Sequence, residues 1–94
     1  MIEALNKPKT DAAVLKEVKL IVGRIKGLHY TRVANNKGLW EYGLDIVDLV
    51  DVILAIEQKY NIIIPDDVPV YTVNDFVAYI QLNRPQVEHQ PAAM

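Results

Sequence analysis

The chain of 94 residues contains no cysteine, which removes disulfide frameworks and cysteine-based zinc sites from consideration. It contains no serine either, so no serine nucleophile exists. Its two histidines, His29 and His89, have no cysteine or paired carboxylate at catalytic spacing, and nucleophile–base chemistry finds no constellation. Four glycines and five prolines are too few for a collagenous or low-complexity chain. No glycine-rich phosphate loop is present. The apolar runs fall far short of the roughly 20 residues that span a bilayer, and the start lacks the profile of a secretory signal. These absences predict a cytoplasmic protein that is not an enzyme.

What is present is a globular composition, 51% hydrophobic and 23% charged, at the length of one ordinary domain. A chain of this size buries only about 60–65% of its unfolded surface, so its core is modest. The net charge of −2 conceals a strong asymmetry. Residues 1–37 hold eight basic side chains against three acids, a balance of +5. Residues 38–82 hold eight acids against Lys59 alone, a balance of −7. The acidic half attracts basic partners and repels nucleic acid.

Hydrophobic spacing predicts an all-α fold. Pro8 favours an extended leader over 1–10. Thr10 or Asp11 caps a first amphipathic helix carrying Leu15, Val18, Ile21, Val22 and Ile25, which stops at Gly27. Residues 28–43 then read as a long loop, with Leu28, Val33, Leu39 and Trp40 as anchors into the core; loops of this length usually carry function. Asp45 caps a second helix over 45–60, and Asp48 suits the positive end of its dipole. Projected at 100° per residue, one arc holds Ile46, Leu49, Val50, Ile53, Leu54, Ile56 and Tyr60, and the spacing predicts that this arc faces the core. Ile62-Ile63-Ile64, closed by Pro65, reads as a loop dipping into the core. Asp66-Asp67 reads as the opening of one short helical turn, and Thr72 caps a last helix carrying Val73, Phe76, Val77 and Ile80. The resulting domain is a bundle of three main helices over 11–82, with a disordered tail over 83–94.

The run Gly43-Leu-Asp-Ile-Val-Asp-Leu-Val-Asp51, continued through Ile62-Ile-Ile-Pro-Asp66, resembles the central helix and following loop of acyl carrier proteins. That family reads Gly-x-Asp-Ser-Leu, then an acidic-apolar helix, then Ile-x-Ile-Pro-Asp. Asp45, Asp48, Asp51, Glu57, Tyr60, Ile62, Ile64, Pro65 and Asp66 fall on matching positions without a gap, and the likeness covers roughly 11–82. The resemblance implies a small helical bundle that carries acyl groups as thioesters on 4′-phosphopantetheine, attached to the serine after the Asp. Here that position is Ile46. A hydrocarbon has no oxygen to attack coenzyme A, so the expected cofactor complement is none, and 4′-phosphopantetheine would be expected only with a serine at 46.

By the same resemblance, the acidic face of the second helix docks on basic surfaces of biosynthetic enzymes (synthases, ligases, transferases) or on a scaffold. The residues expected to make that contact are Asp45, Val47, Asp48, Asp51 and Val52, with apolar residues flanking a row of charge. The three Asp lie three apart on a helix, which does not match a calcium loop. No metal, nucleic acid or membrane span is expected, and a monomer is. Two readings follow: a carrier-like binding module without an arm, in which Ile46 plugs the way into the bundle, or a carrier of fatty-acid or polyketide-type synthesis whose attachment serine is substituted.

Overall fold

Each helix begins at a residue whose side chain supplies an acceptor for the unpaired N–H groups of the first turn. In the computed structural model, which describes residues 11–84, Asp11 opens α1 (Ala12–Lys26), Asp45 opens α2 (Ile46–Tyr60) and Thr72 opens α3 (Val73–Asn83). The Asp11 carboxylate accepts from the N–H groups of Ala13 (2.9 Å) and Val14 (3.3 Å). Thr72 Oγ1 accepts from Asp75 N–H (3.1 Å), and the Asp75 carboxylate accepts in return from Thr72 N–H (3.0 Å). No strand occurs among the described residues. The leader over 1–10 and the tail beyond Arg84 lie outside them, while α3 runs on to Asn83, where the tail was expected to start.

Helix ends follow equally local rules. α1 stops at Gly27 (φ 80°) and α2 at Asn61 (φ 57°), both left-handed, a conformation that Gly adopts freely and Asn tolerates. At the end of α1 the Gly23 carbonyl accepts from both Gly27 N–H (2.7 Å) and Leu28 N–H (2.8 Å). That turn folds the Leu28 carbonyl back against Gly23, so close that a Cβ on residue 23 would overlap it. Gly23 is there for proximity.

The core is wholly apolar among the described residues. α1 contributes Val14, Val18, Ile21 and Val22, α2 contributes Val52 and Ile56, and α3 contributes Val73, Phe76, Val77 and Ile80. α1 packs against both other helices and is the element they share. Val33, Leu39, Leu44, Ile62, Ile64 and Val70 close the core from the loops. Burying each such side chain stabilises the bundle by about 1.5–3 kcal/mol before entropy is counted.

Two loop expectations change. The long α1–α2 connection carries short 3₁₀ turns at Tyr30–Arg32 and Leu39–Tyr42. Its second turn buries Leu39 but leaves Trp40 58% exposed, because adjacent residues of such a turn point apart and only one can enter the core. The segment at Asp66-Asp67 is a turn closed by Val68 N–H on the Pro65 carbonyl (3.1 Å), not a helix. Ile62-Ile63-Ile64 dips into the core as expected, with Ile62 and Ile64 buried and Ile63 pointing outward.

Two measurements check this account. Gly23→Ala should lower stability by about 1–3 kcal/mol in urea unfolding, through overlap with the Leu28 carbonyl. Hydrogen bonds from Val14 and Ala13, with Arg84 at 3.1 Å, hold the Asp11 carboxyl below its ordinary value despite partial desolvation. A depressed folded pKa contributes stability above the unfolded value near about 3.9, and that contribution is lost as pH falls through the folded value. Asp11→Asn should therefore flatten the urea midpoint against pH below about pH 4 relative to the parent chain.

Candidate functional site

The start of α2 is held by two reciprocal contacts. Asp45 Oδ1 accepts from Asp48 N–H (2.9 Å), and Asp48 Oδ2 accepts from Asp45 N–H (3.1 Å). This is a capping box built from two aspartates. Lys26 reaches across from α1 and donates to the Gly43 carbonyl (3.0 Å), with its Nζ 4.0 Å from Asp48 Oδ2. The charge pair at that distance adds little, but the hydrogen bond fixes where α2 begins. Ile46, the first helical residue, thereby stands at a defined position directly after the cap.

The buried side of α2 overlaps the expected arc only in part. Val52 and Ile56 are fully buried, with Leu49, Ile53 and Tyr60 half-buried beside them. Ile46 is 74% exposed, and Val47, Val50 and Leu54 are exposed as well. The true core-facing arc is rotated by roughly 70° from the expected one at 100° per residue. Two site expectations are corrected. Val52 cannot touch a partner, since it packs in the core at 0% exposure. Ile46 neither faces the core nor plugs an entrance; it stands on the rim of a groove that remains open.

That groove has a volume of about 310 Å³. Ile46, Val50 and Ile53 of α2 form one side of it, and Val68, Val70 and Tyr71 of the following loop line it too. Asp66 and Asp67 belong to the same lining. The loop is pinned at both ends. Ile64 N–H donates to Glu57 Oε2 (2.7 Å) and Tyr79 Oη donates to the Ile63 carbonyl (2.8 Å). At the other end Leu39 N–H donates to the Tyr71 carbonyl (2.8 Å), while Tyr71 N–H donates to Asp75 (2.8 Å). The Tyr71 ring meets Trp40 edge-on, with centroids 5.5 Å apart.

The carboxylates divide into two groups. Asp45 and Asp48 are engaged with backbone N–H groups of the helix start. Asp51, Asp66 and Asp67 are exposed and make no hydrogen bond or ion pair with a described residue. The groove residues Asp67, Val68, Val70 and Tyr71 were not singled out as site residues from sequence. The available signal was the spacing Asp-x-x-Asp at 45 and 48, which marks those two acids as capping residues and shifts attention to the uncommitted ones. His29 has only a local role, its Nδ1 2.8 Å from Thr31 Oγ1. His89 lies outside the described residues.

Comparison with models of known protein families gives no match. Single relatives do match. The chain is 32% identical over 75 residues to an acyl carrier protein of Wolinella succinogenes, covering 77% of this chain and 99% of that protein. It is 32% identical over 68 residues to an acyl carrier protein of Zymomonas mobilis, covering 69% of this chain and 87% of the relative. A shorter match, 43% identical over 42 residues, links it to an acyl carrier protein of Helicobacter hepaticus across 43% of this chain and 55% of that one.

The division of the acids is directly testable. Asp48→Ala removes one half of the capping box and should cost about 1 kcal/mol of stability. Asp51→Ala should stay within about 0.5 kcal/mol of the parent chain, as expected for a surface site without partners among the described residues. Urea unfolding of the two variants at neutral pH reads both.

Proposed function

Because the chain belongs to the acyl carrier protein family, whose members are carriers and not enzymes, we propose that it is a carrier-like binding module acting through protein contacts without a 4′-phosphopantetheine arm. The observation that carries this reading is Ile46. The family attaches its arm through an alcohol oxygen on the residue after the aspartate of the central helix. Position 46 offers only carbon, although it is exposed and rigidly presented.

The other alcohols do not substitute for it. Thr72 Oγ1 is occupied as the cap of α3, and Thr31 Oγ1 sits against His29. Thr10 lies outside the described residues, and the chain has no serine. The residues present do not fit the group.

Partner contact is the remaining use of this face. Asp51 supplies an uncommitted charge beside Val47, and Ile46, Val50 and Leu54 supply apolar surface. A basic patch with aliphatic contacts, on a biosynthetic enzyme or a scaffold, is the complementary surface. Of the five contact residues expected from sequence, Asp51 and Val47 suit this role best. Asp45 and Asp48 contribute field more than contact, being held in the helix cap. In this reading the protein works as a cytoplasmic monomer. No helix among the described residues is long and apolar enough to cross a membrane.

The decisive experiment is incubation with coenzyme A and a promiscuous phosphopantetheinyl transferase, followed by intact-mass measurement. The parent chain should gain no mass; any covalent gain overturns the reading. Ile46→Ser should become loadable, because the start of α2 is fixed by Asp45, Asp48 and Lys26 and not by the side chain at 46. Failure of that variant to load would show a surface that has departed from the family beyond one residue.

A further inference from the structure

The basic half of the chain forms a surface of its own. Between Ala12 and Lys37 six Lys and Arg stand against one acid, Glu17, which faces Lys59 of α2 at 3.5 Å. α1 buries Val14, Val18, Ile21 and Val22, and at 100° per residue Lys16, Lys19 and Arg24 fall on the opposite side of the helix. The 3₁₀ turn Tyr30–Arg32 packs on α1 and adds Arg32. Lys16 Nζ stands 5.1 Å from the centre of the Tyr30 ring, and the His29 ring lies 4.9 Å from the same ring. The side chains of Lys19, Arg24 and Arg32 make no hydrogen bond or ion pair with a described residue. No residue of α1 lines the groove beside α2.

We propose that this face rests on an anionic lipid surface, with Lys16, Lys19, Arg24 and Arg32 against the headgroups and the Tyr30 ring at their level. Lys16 and Arg24 lie about 12 Å apart along the convex side of a helix, so their charges do not converge on one small anion. They suit a plane carrying many negative charges. A flexible polyanion such as single-stranded RNA follows the protein surface onto residues 38–82, whose balance of −7 repels it. A bilayer touches one face only. α2 packs on the inner side of α1, so its exposed acids stay in solvent, where salt screens them beyond about 8–10 Å. The sequence ahead of α1 adds Lys7 and Lys9, with Met1, Ile2 and Leu5 before them. Apolar side chains beside cations gain from an acyl layer and gain nothing from a phosphate backbone.

The test is cosedimentation of the full chain with phosphatidylcholine vesicles and with equimolar phosphatidylcholine/phosphatidylglycerol vesicles. The chain should bind the anionic vesicles at low salt, lose about tenfold or more in partitioning at physiological salt, and ignore the neutral ones. Arg24→Gln with Arg32→Gln should weaken binding by about tenfold or more, at roughly fivefold per cation. Both side chains are exposed, so the urea midpoint of that variant should match the parent chain. Adding Asp51→Asn and Asp66→Asn returns the net charge to −2 and should not restore binding, because the face and not the total charge is read. Vesicles with a spin label at the headgroup should broaden backbone amides over 16–32 ahead of those over 46–54.

Absence of binding at low salt, equal partitioning onto neutral vesicles, indifference to the arginine pair, or broadening centred on 46–54 would each overturn the proposal. So would recovery of binding with the net charge alone. Tighter binding to a short single-stranded RNA, lost in the same arginine variant, would reassign the face to nucleic acid and overturn it as well. Position 46 takes no part in this surface, so a mass gain in the transferase experiment would leave these measurements standing.

Discussion

The hydrogen bond from a backbone N–H to a side-chain carboxylate is the interaction on which the rest of this bundle depends. Asp11, Asp45 and Asp48 accept such bonds at the starts of α1 and α2, Asp75 at the start of α3, and Glu41 accepts from Gly38 at the second 3₁₀ turn. Glu57 accepts from Ile64 and ties the loop after α2 back to the helix. Each bond involves an ionised acceptor and is stronger than its neutral counterpart. Most of the acids of the middle segment thus hold backbone in place. The acidic face that composition suggests is correspondingly smaller, and the members uncommitted among the described residues are Asp51, Asp66 and Asp67.

Helix positions were legible because capping and stopping are local. Asp45 and Thr72 as caps, Thr10 or Asp11 as the choice for α1, and Gly27 as an end needed only neighbours in sequence. The orientation of α2 was only partly legible, because apolar residues spread beyond one face: Leu49, Ile53, Ile56 and Tyr60 lie on the buried side as expected, while Ile46, Val50 and Leu54 do not. Of the apolar residues from Ile46 to Ile56, hydrophobicity alone selects no arc. Packing against α1 selects it, burying Val52 and Ile56 while Val50 and Leu54 stay out. The pair Leu39-Trp40 repeats the lesson, since either could anchor the loop and backbone geometry admits Leu39. The groove was illegible for a related reason: its walls come from segments brought together only by the fold, with Tyr71 set by bonds to Leu39 and Asp75.

The side chain at 46 links the family to what distinguishes this chain. Similarity over nearly the whole length of an acyl carrier protein brings the bundle, the capped central helix and the following loop. At the start of that helix Ile46 stands exposed directly after the capping residue Asp45. A fold can be kept while the side chains presented on it differ, because function lives in a site carried on the fold.

Neither stability nor folding accounts for Ile46 and Val47. β-Branched residues lose rotamer freedom in a helix and rank below Leu, Met, Gln or Lys there. Both side chains are mostly exposed and contribute little to the core, so a polar helix former would serve the isolated bundle as well or better. Their apolar area is recovered only against another surface, where burial is worth about 25 cal/mol per Å². Ile46 also lines the groove with Val50 and Tyr71. Ile46 thus adds apolar surface to the rim of the groove and almost none to the core.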